Sequence, residues 1–452
     1  MANPSLSEYL AQSQRGLYQS VFGPEYLAKE GLGIGTNFTV DTATGIFNTT
    51  YGRKVWQALN NQTRFFNAIP RVVWGNTAGW RVRSDRGSGR SRPVTETGSL
   101  PTVDVSAIQT VSSLPRIVST TFGASVKSVF TAQLEGGVGD VLALENENAQ
   151  LDHIKEINEE LNAGSAYIVN GDTTSTTQCE VPAAIAKHFK IGDAVSRNNA
   201  GTMDVTSGSV ISAANTSSGI LTMAAVSGAW ADGDLVQIYS RAGFTSIQDV
   251  VAEDGMTVGG ATNGAEVRAY DLTISERTAG AWNAGASVSY NSGTGRDLTL
   301  TLLDTAIQKI RENGGEPKLI LLGHDQYFKL ERLLNSQQRY MGQEEYQVGV
   351  GSERTYPGTR TGLVLSTYMG IPILPDADVA KSVSSADAVL GSDVFVLDTD
   401  YIEMAIAQPT QYVENRDYFA ANALVVRGLL YTMGEMRVKN IWTQAKISDL
   451  NS

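Results

Sequence analysis

The clearest helical period in the chain runs through residues 138–163, VGDVLALENENAQLDHIKEINEELNA. Leu144, Leu151, Ile154 and Leu161 mark one stripe, with Ile157 flanking it, and Glu147, Asp152, Glu156, Glu159 and Glu160 mark the other face. At 1.5 Å per residue this predicts a helix of roughly 35–40 Å. Gly164 is its expected stop. A second stripe, Leu302, Leu303, Ala306, Ile307 and Ile310, ends at a double glycine. EPKLILLG then reads as a buried strand and HDQYFKLERLLN as another helix. Residues 336–362 are polar and Gly-bearing, a long loop. MGIPILPDADVA and DVFVLDTDYIEMAIAQ read as strands, and ANALVVRGLLYTMGEMRVKNIWTQAKI as a closing strand pair.

The N-terminal part is patterned differently. Residues 1 to 50 are polar, Gly-dotted and weakly periodic, an arm that needs a partner surface for order. Within 52–67, Val55, Leu59 and Phe66 lie near helical spacing, predicting a short helix ended by Pro70. RVVWGNTAGWRVRS, the basic tip RGSGRSRP and the loosely alternating VTETGSLPTVDVSAIQTVSSLP together predict a long, projecting β-hairpin. Such a hairpin has too little core to stand alone in water. Residues 172–241 are rich in Thr, Ser, Ala and Gly with short apolar runs, predicting a small all-β module of about five strands between two body segments. The fold class is therefore α+β.

With 452 residues, 42% of them hydrophobic, the chain is long enough for several domains and too apolar for a disordered one. Its net charge of −12 repels nucleic acid on average, so any such contact is local. The single cysteine, Cys179, excludes an internal disulfide framework and a multi-cysteine zinc site. MANPSLSEYLAQSQRG has no basic head before an apolar block, so no signal peptide is expected. No run of 18 apolar residues predicts a membrane span.

Catalytic signatures are missing. A P-loop needs a Gly-Lys step that the chain lacks, and Gly31, Gly33 and Gly35 miss the dinucleotide spacing. His153 sits among carboxylates and reads as solvated or ion-paired; His188 lies in the inserted module; His324 begins a helix. None has a second ligand at helical spacing. Asp376/Asp378 and Asp398/Asp400 are expected to cap turns. No catalytic residue, cofactor or metal site is expected.

Charge is segregated instead. Residues 53–92 hold nine bases and one acid, net +8. Residues 134–160 hold eight acids and one lysine, net −7. Two solvated surfaces would account for this. The alternative places Arg81, Arg83, Arg86, Arg90 and Arg92 of the hairpin against Glu145, Glu147, Asp152, Glu156 and Glu159 of a long helix, its own or a neighbour's. Little aromatic interleaving at the tip argues against single-stranded nucleic acid as its target.

The order of elements, with YGRKVWQALNNQTRFFNAIPRV, GWRVRSDRGSGRSRPVTETGSLP, GRDLTLTLLDTAIQKIRENGGEPKLILLGHDQYFKLERLL and YMGIPILPDADVA leading to VFVLDTDYIEMAIAQPTQYVEN, resembles the major capsid proteins of tailed double-stranded DNA viruses of the Hong Kong 97 bacteriophage type. The resemblance implies an N-terminal arm and helix (1–68), an extended loop across the neighbouring subunit (69–125), a peripheral domain with a spine helix (126–171), an inserted module (172–241), a peripheral segment (242–298), an axial domain meeting its copies at capsomer centres (299–394) and return strands (395–452). Some members crosslink through an extended-loop lysine. Residues 55–126 contain none, so no such mesh is expected. With the hairpin starting near residue 70, no room for a removable scaffolding segment is expected, so scaffolding would be a separate protein.

The implied function is a non-catalytic shell protein forming hexamers and pentamers of an icosahedral capsid around packaged DNA. The implied partners are its own copies, separate scaffolding and portal proteins, decoration proteins and weakly held DNA, with no membrane. The implied location is the virion of a bacteriophage or archaeal virus, after assembly in the host cytoplasm. A cellular cargo-compartment shell of the same fold is the nearest alternative. A secreted β-rich carbohydrate-binding or hydrolytic protein is the alternative from another class.

Overall fold

A computed structural model describes residues 63–75, 79–83, 91, 93–101, 108–132, 141–171, 175–199, 202–252, 256–258, 261–263, 268–270, 272–273, 287–289, 291, 293–335, 344–347, 355–358, 367–383, 389–416 and 424–452. The arm, residues 133–140 and the arginine tip of the hairpin lie outside them. The chain divides into two compact units.

The larger unit comprises 61–120, 151–411 and 430–452 and holds three apolar clusters. The inserted module owns one of them. Its six strands lie in the order Ala166–Ile168, Leu235–Ser240, Ala194–Asn199, Thr202–Ala214, Ile220–Met223, Gln178–Glu180, and every pair is antiparallel. Trp230, Phe189, Ile168 and Ile185 fill its centre. The module thus starts at Ala166, a few residues before the compositional shift, and has six strands where about five were expected.

A mixed sheet carries the second cluster. Its order is Ser287–Ser289, Ala445–Ile447, Val394–Leu397, Leu319–Leu322, Ile371–Pro375, Thr367–Tyr368. Leu319–Leu322 runs parallel to Ile371–Pro375 and antiparallel to Val394–Leu397. Both LILL and VFVL are buried at every position, as central strands covered on two faces must be. Leu300–Glu312 packs Leu303, Ala306, Ile307 and Ile310 onto it, the face its period predicts. Thr299 caps this helix by accepting from the Leu302 amide. The sheet also takes edge-side strands from 287–289 and 445–447, outside the 299–394 segment.

The third cluster joins the remaining parts of this unit. The helix Arg64–Ala68 contributes Phe65 and Phe66, the long helix Ile157 and Leu161, and the strands Phe395, Met404, Met436 and Val438. The smaller unit, within its described residues, holds the helix Val126–Ala132 and flanking strand ends. There Ser125 accepts from the Ser128 amide at 3.1 Å as an N-cap, and Phe122 stacks on Tyr412 with centroids 5.9 Å apart.

The long helix forms as Val141–Leu161, but its buried row differs from the expected stripe. Leu151 and Ile154 are exposed, at 36% and 37%, while Ala149, His153, Ile157 and Leu161 are buried. These four are spaced i, i+4, a single ridge suited to a groove. Glu160, assigned to the solvent face, is buried as well. His153 is buried rather than solvated. Its ring lies 3.0 Å from the Thr120 hydroxyl and 2.7 Å from that of Thr432, so two hydroxyls replace water.

Candidate functional site

The hairpin base is held on the body by its inward face. Gly79–Arg83 pairs antiparallel with Ile108–Ser112, Trp80 opposite Val111. Alternation sends Trp80, Val82 and Val111 inward. Trp80 meets the Tyr270 ring edge-on at 5.0 Å. A Cβ on Gly79 would lie 1.8 Å from the Val111 carbonyl oxygen, so no larger residue fits. The same alternation leaves Arg81 and Arg83 exposed on the opposite face. Arg86, Arg90 and Arg92 lie outside the described residues. Exposed apolar side chains accompany the hairpin: Leu100 at 81%, Ile108 at 63%, Leu114 at 64% and Ile117 at 52%.

The acidic helix splits into two parts. Glu147 and Asp152 are exposed and Glu145 half-buried, without a cationic partner among the described residues. Glu156 and Glu159 instead bind Lys190 of the inserted module, at 2.8 and 3.2 Å. Lys155 binds Asp378. The acids nearer the helix C-terminus are thus neutralised within the chain.

Two buried polar joints hold distant parts of the larger unit together. In the first, Asp376 accepts from the Phe65 amide at 3.0 Å, and Asn158 accepts from the Phe66 amide at 3.0 Å. Asn158 donates to Asp376 at 3.1 Å and Asp378 at 2.6 Å. These bonds satisfy open amides of the Arg64–Ala68 helix. Asp376 caps its own turn, accepting from the Asp378 amide at 3.0 Å as expected, and is a buried anchor as well; burial raises Asp378. Asp398 does cap a turn, accepting from the Asp400 amide.

The second joint ties the module to the body. Arg241 pairs with Asp249 at 2.5 Å and donates to the Gly164 carbonyl at 2.6 Å. Arg116 donates to the Arg241 carbonyl at 2.8 Å and pairs with Glu435 at 3.2 Å. Glu160 accepts from the Phe244 amide at 2.9 Å, and Asp193 from the Ala242 amide at 2.8 Å. A Cβ on Gly243 would lie 2.1 Å from the Glu160 carboxylate, so any larger residue there would displace that carboxylate from the Phe244 amide. Burial pushes Glu160 up to about 8 and Glu435 up to about 7.

His188 is buried against Tyr167, its pKa held well below the usual range by desolvation and by Lys187. Burial pushes the Cys179 thiol up to about 12, which leaves it unreactive near neutrality. Among the described residues no group of three His, Cys, Asp or Glu could hold a metal ion. No helix among them is long and apolar enough to cross a membrane.

A family model described as SU10 major capsid protein matches residues 33–450. Among solved structures, the cyanophage A-1(L) capsid asymmetric unit is 12% identical, covering 94% of this chain and 99% of its own, with a TM-score of 0.50. Gordonia phage Cozz is 11% identical over 89% and 90%, with a TM-score of 0.43. The SrpI encapsulin of Synechococcus elongatus PCC 7942 is 8% identical over 91% and 95%, with a TM-score of 0.38. No curated protein matches the chain.

Proposed function

This chain belongs to the SU10 major capsid protein family, and from that premise we propose how its surfaces build a shell. It is a major capsid protein with the Hong Kong 97-type α+β fold, and copies of it form the capsid of a virion. Its role is structural. The copies associate as hexamers and pentamers of an icosahedral shell around packaged double-stranded DNA, without catalysis. Assembly takes place in the host cytoplasm with separate scaffolding and portal proteins. The match across residues 33–450 carries this reading.

The hairpin is the extended loop, laid on a neighbouring subunit. Three properties support that role: an anchored base, exposed arginines on one face, and apolar side chains left uncovered. Its arginines face Glu145, Glu147 and Asp152 of the neighbour's long helix. Glu156 and Glu159 contribute less, because Lys190 already neutralises them. One exposed pair contributes about 0–1 kcal/mol, so the contact sets register through repetition.

The test compares the native chain with one in which Arg81, Arg83, Arg86, Arg90 and Arg92 are changed to Ser. Particle mass and shape are read by light scattering and negative-stain microscopy. Closed shells or capsomers from the native chain, lost in the variant, are expected. Assembly by both keeps the capsid and removes the charge contact.

A further inference from the structure

The mixed sheet ends in a turn that breaks a local rule. Thr367 pairs with Pro372 and Tyr368 with Ile371, leaving Met369 and Gly370 as a two-residue hairpin loop. Both have positive φ, 50° and 83°, the pair that a type I′ turn requires. Asn or Gly is favoured at the first of these positions, yet the chain places a methionine there, 59% exposed. Tyr368 donates to Asp304 at 2.7 Å and so fixes the turn against the helix Leu300–Glu312. Between turn and helix lies an open groove of about 570 Å³. Ile307, Tyr368 and Met369 supply its apolar part, and Asp304, Arg311 and Glu312 leave it one net negative charge.

The next helix, His324–Asn335, carries the complementary feature. Phe328 is 54% exposed, and Arg332, one turn on, is exposed with no ion pair among the described residues. A ring of identical subunits needs two different, mutually fitting patches on each copy. These are two such patches beside one sheet, the groove net negative and the helix face presenting the Arg332 cation next to Phe328, with Glu331 beside it.

We propose that the groove receives the Phe328–Arg332 face of a second copy in a head-to-tail contact, Phe328 against Tyr368 and Met369 and Arg332 against Glu312. The contact rests on the capsid reading and names where adjacent copies meet within a capsomer. The exposed turn methionine then gains a partner in the assembled ring.

The test is a disulfide ladder. Phe328→Cys and Gln308→Cys are introduced together, since Gln308 lies in the groove and the native Cys179 is buried. Mild oxidation of assembled particles, read on denaturing gels, is expected to give a ladder up to whole rings, absent from either single variant. A ladder stopping at dimers, or none from well-formed particles, overturns the contact while leaving the capsid reading intact. A native chain that builds no capsomer or shell, even with its scaffold supplied, fails both. Arg332→Glu is expected to lose rings while keeping its monomer fold by circular dichroism. Arg332→Glu with Glu312→Lys is expected to restore them, and failure of restoration counts against the pairing.

Discussion

The inserted module and the mixed sheet both have six strands, and they are held in opposite ways. The module draws every strand from residues 166–240, pairs all of them antiparallel and encloses its own apolar cluster. The mixed sheet gathers strands from residue 287 to residue 447 and includes two parallel pairs. One is a local object stitched on by a polar joint. The other exists only when distant parts of the chain have met, which makes loop closure part of its cost. Damage stays confined in the first and spreads in the second.

The largest expected effects test confinement. Phe395→Ala removes a ring buried in the central strand of the mixed sheet and should cost about 3–5 kcal/mol of global stability in denaturant unfolding. Trp230→Ala empties a comparable site in the module. Its loss should appear as proteolysis and rapid amide exchange within 175–240, with the mixed sheet still protected. If both variants lower one common transition, the module is not an independent unit.

The joint comes next. Arg241→Ala leaves Asp249 buried without its cation and should cost about 3–5 kcal/mol. Arg241→Met with Asp249→Leu should recover much of that loss, because the pair's desolvation is then removed from both sides. A double variant no better than the single one would show that Arg241 acts through the Gly164 carbonyl instead.

pH should separate joint from module by sign. Glu160 and Glu435 keep their protons in the folded chain up to about 8 and about 7, whereas the unfolded chain releases them near 4.5. Their contribution is full below that value and falls as pH rises through the interval, then levels off. His188 runs the other way. The unfolded chain protonates below 6.5 where the folded module refuses the proton, so its contribution is present above 6.5 and lost toward acid. Melting curves across this range should show Glu160→Gln flattening the alkaline fall and His188→Gln flattening the acid one. Parallel curves for native and variant chains would contradict both assignments.

Smaller effects sharpen the picture at the surface. Asp376→Asn weakens the anchor of the Arg64–Ala68 helix, and about 1–3 kcal/mol is expected, read as earlier proteolysis near residue 63. Lys190→Ala should change stability by only about 0–1 kcal/mol, since the pairs with Glu156 and Glu159 are partly exposed. It also frees two acids for the extended loop, so particle formation should become more sensitive to salt.

Legibility followed the same division. The helices Leu300–Glu312 and His324–Asn335, the strand Leu319–Leu322 and the local module were readable, since each signals itself by a short-range period or a run. The hairpin base was readable for the same reason, and the arginines at 81 and 83 stand exposed as its alternation requires. The long helix was found but its inward face was misread. Hydrophobicity pointed to Leu151 and Ile154, whereas packing chose His153, Asn158 and Glu160 because Thr120, Asp376 and the Phe244 amide were waiting to bond them. No period along the chain marks a polar residue as buried when its partners lie 33, 84 or 218 positions away.

Composition, period and charge order sufficed for the main helices and the family resemblance, because these depend on neighbours along the chain. Strand partners did not follow from them: the expected closing pair falls in two sheets, Val425–Val438 beside Ile402–Asn415 and Ala445–Ile447 beside Val394–Leu397. Glu344–Gln347 pairs with Thr355–Gly358 where a loop was expected, and Arg71–Val73 pairs with Met404–Ile406 instead of joining the hairpin. Which acids remain available to another subunit was decided by folding, when Lys190 reached Glu156 and Glu159. So was the burial of Asp376 and Glu160, read from the chain as a turn cap and a solvent-face acid, and of Arg241 at the second joint. The physical reason is one of range: a hydrophobic stripe is encoded locally, but the worth of a buried charge depends on partners that only the tertiary fold brings within hydrogen-bonding distance.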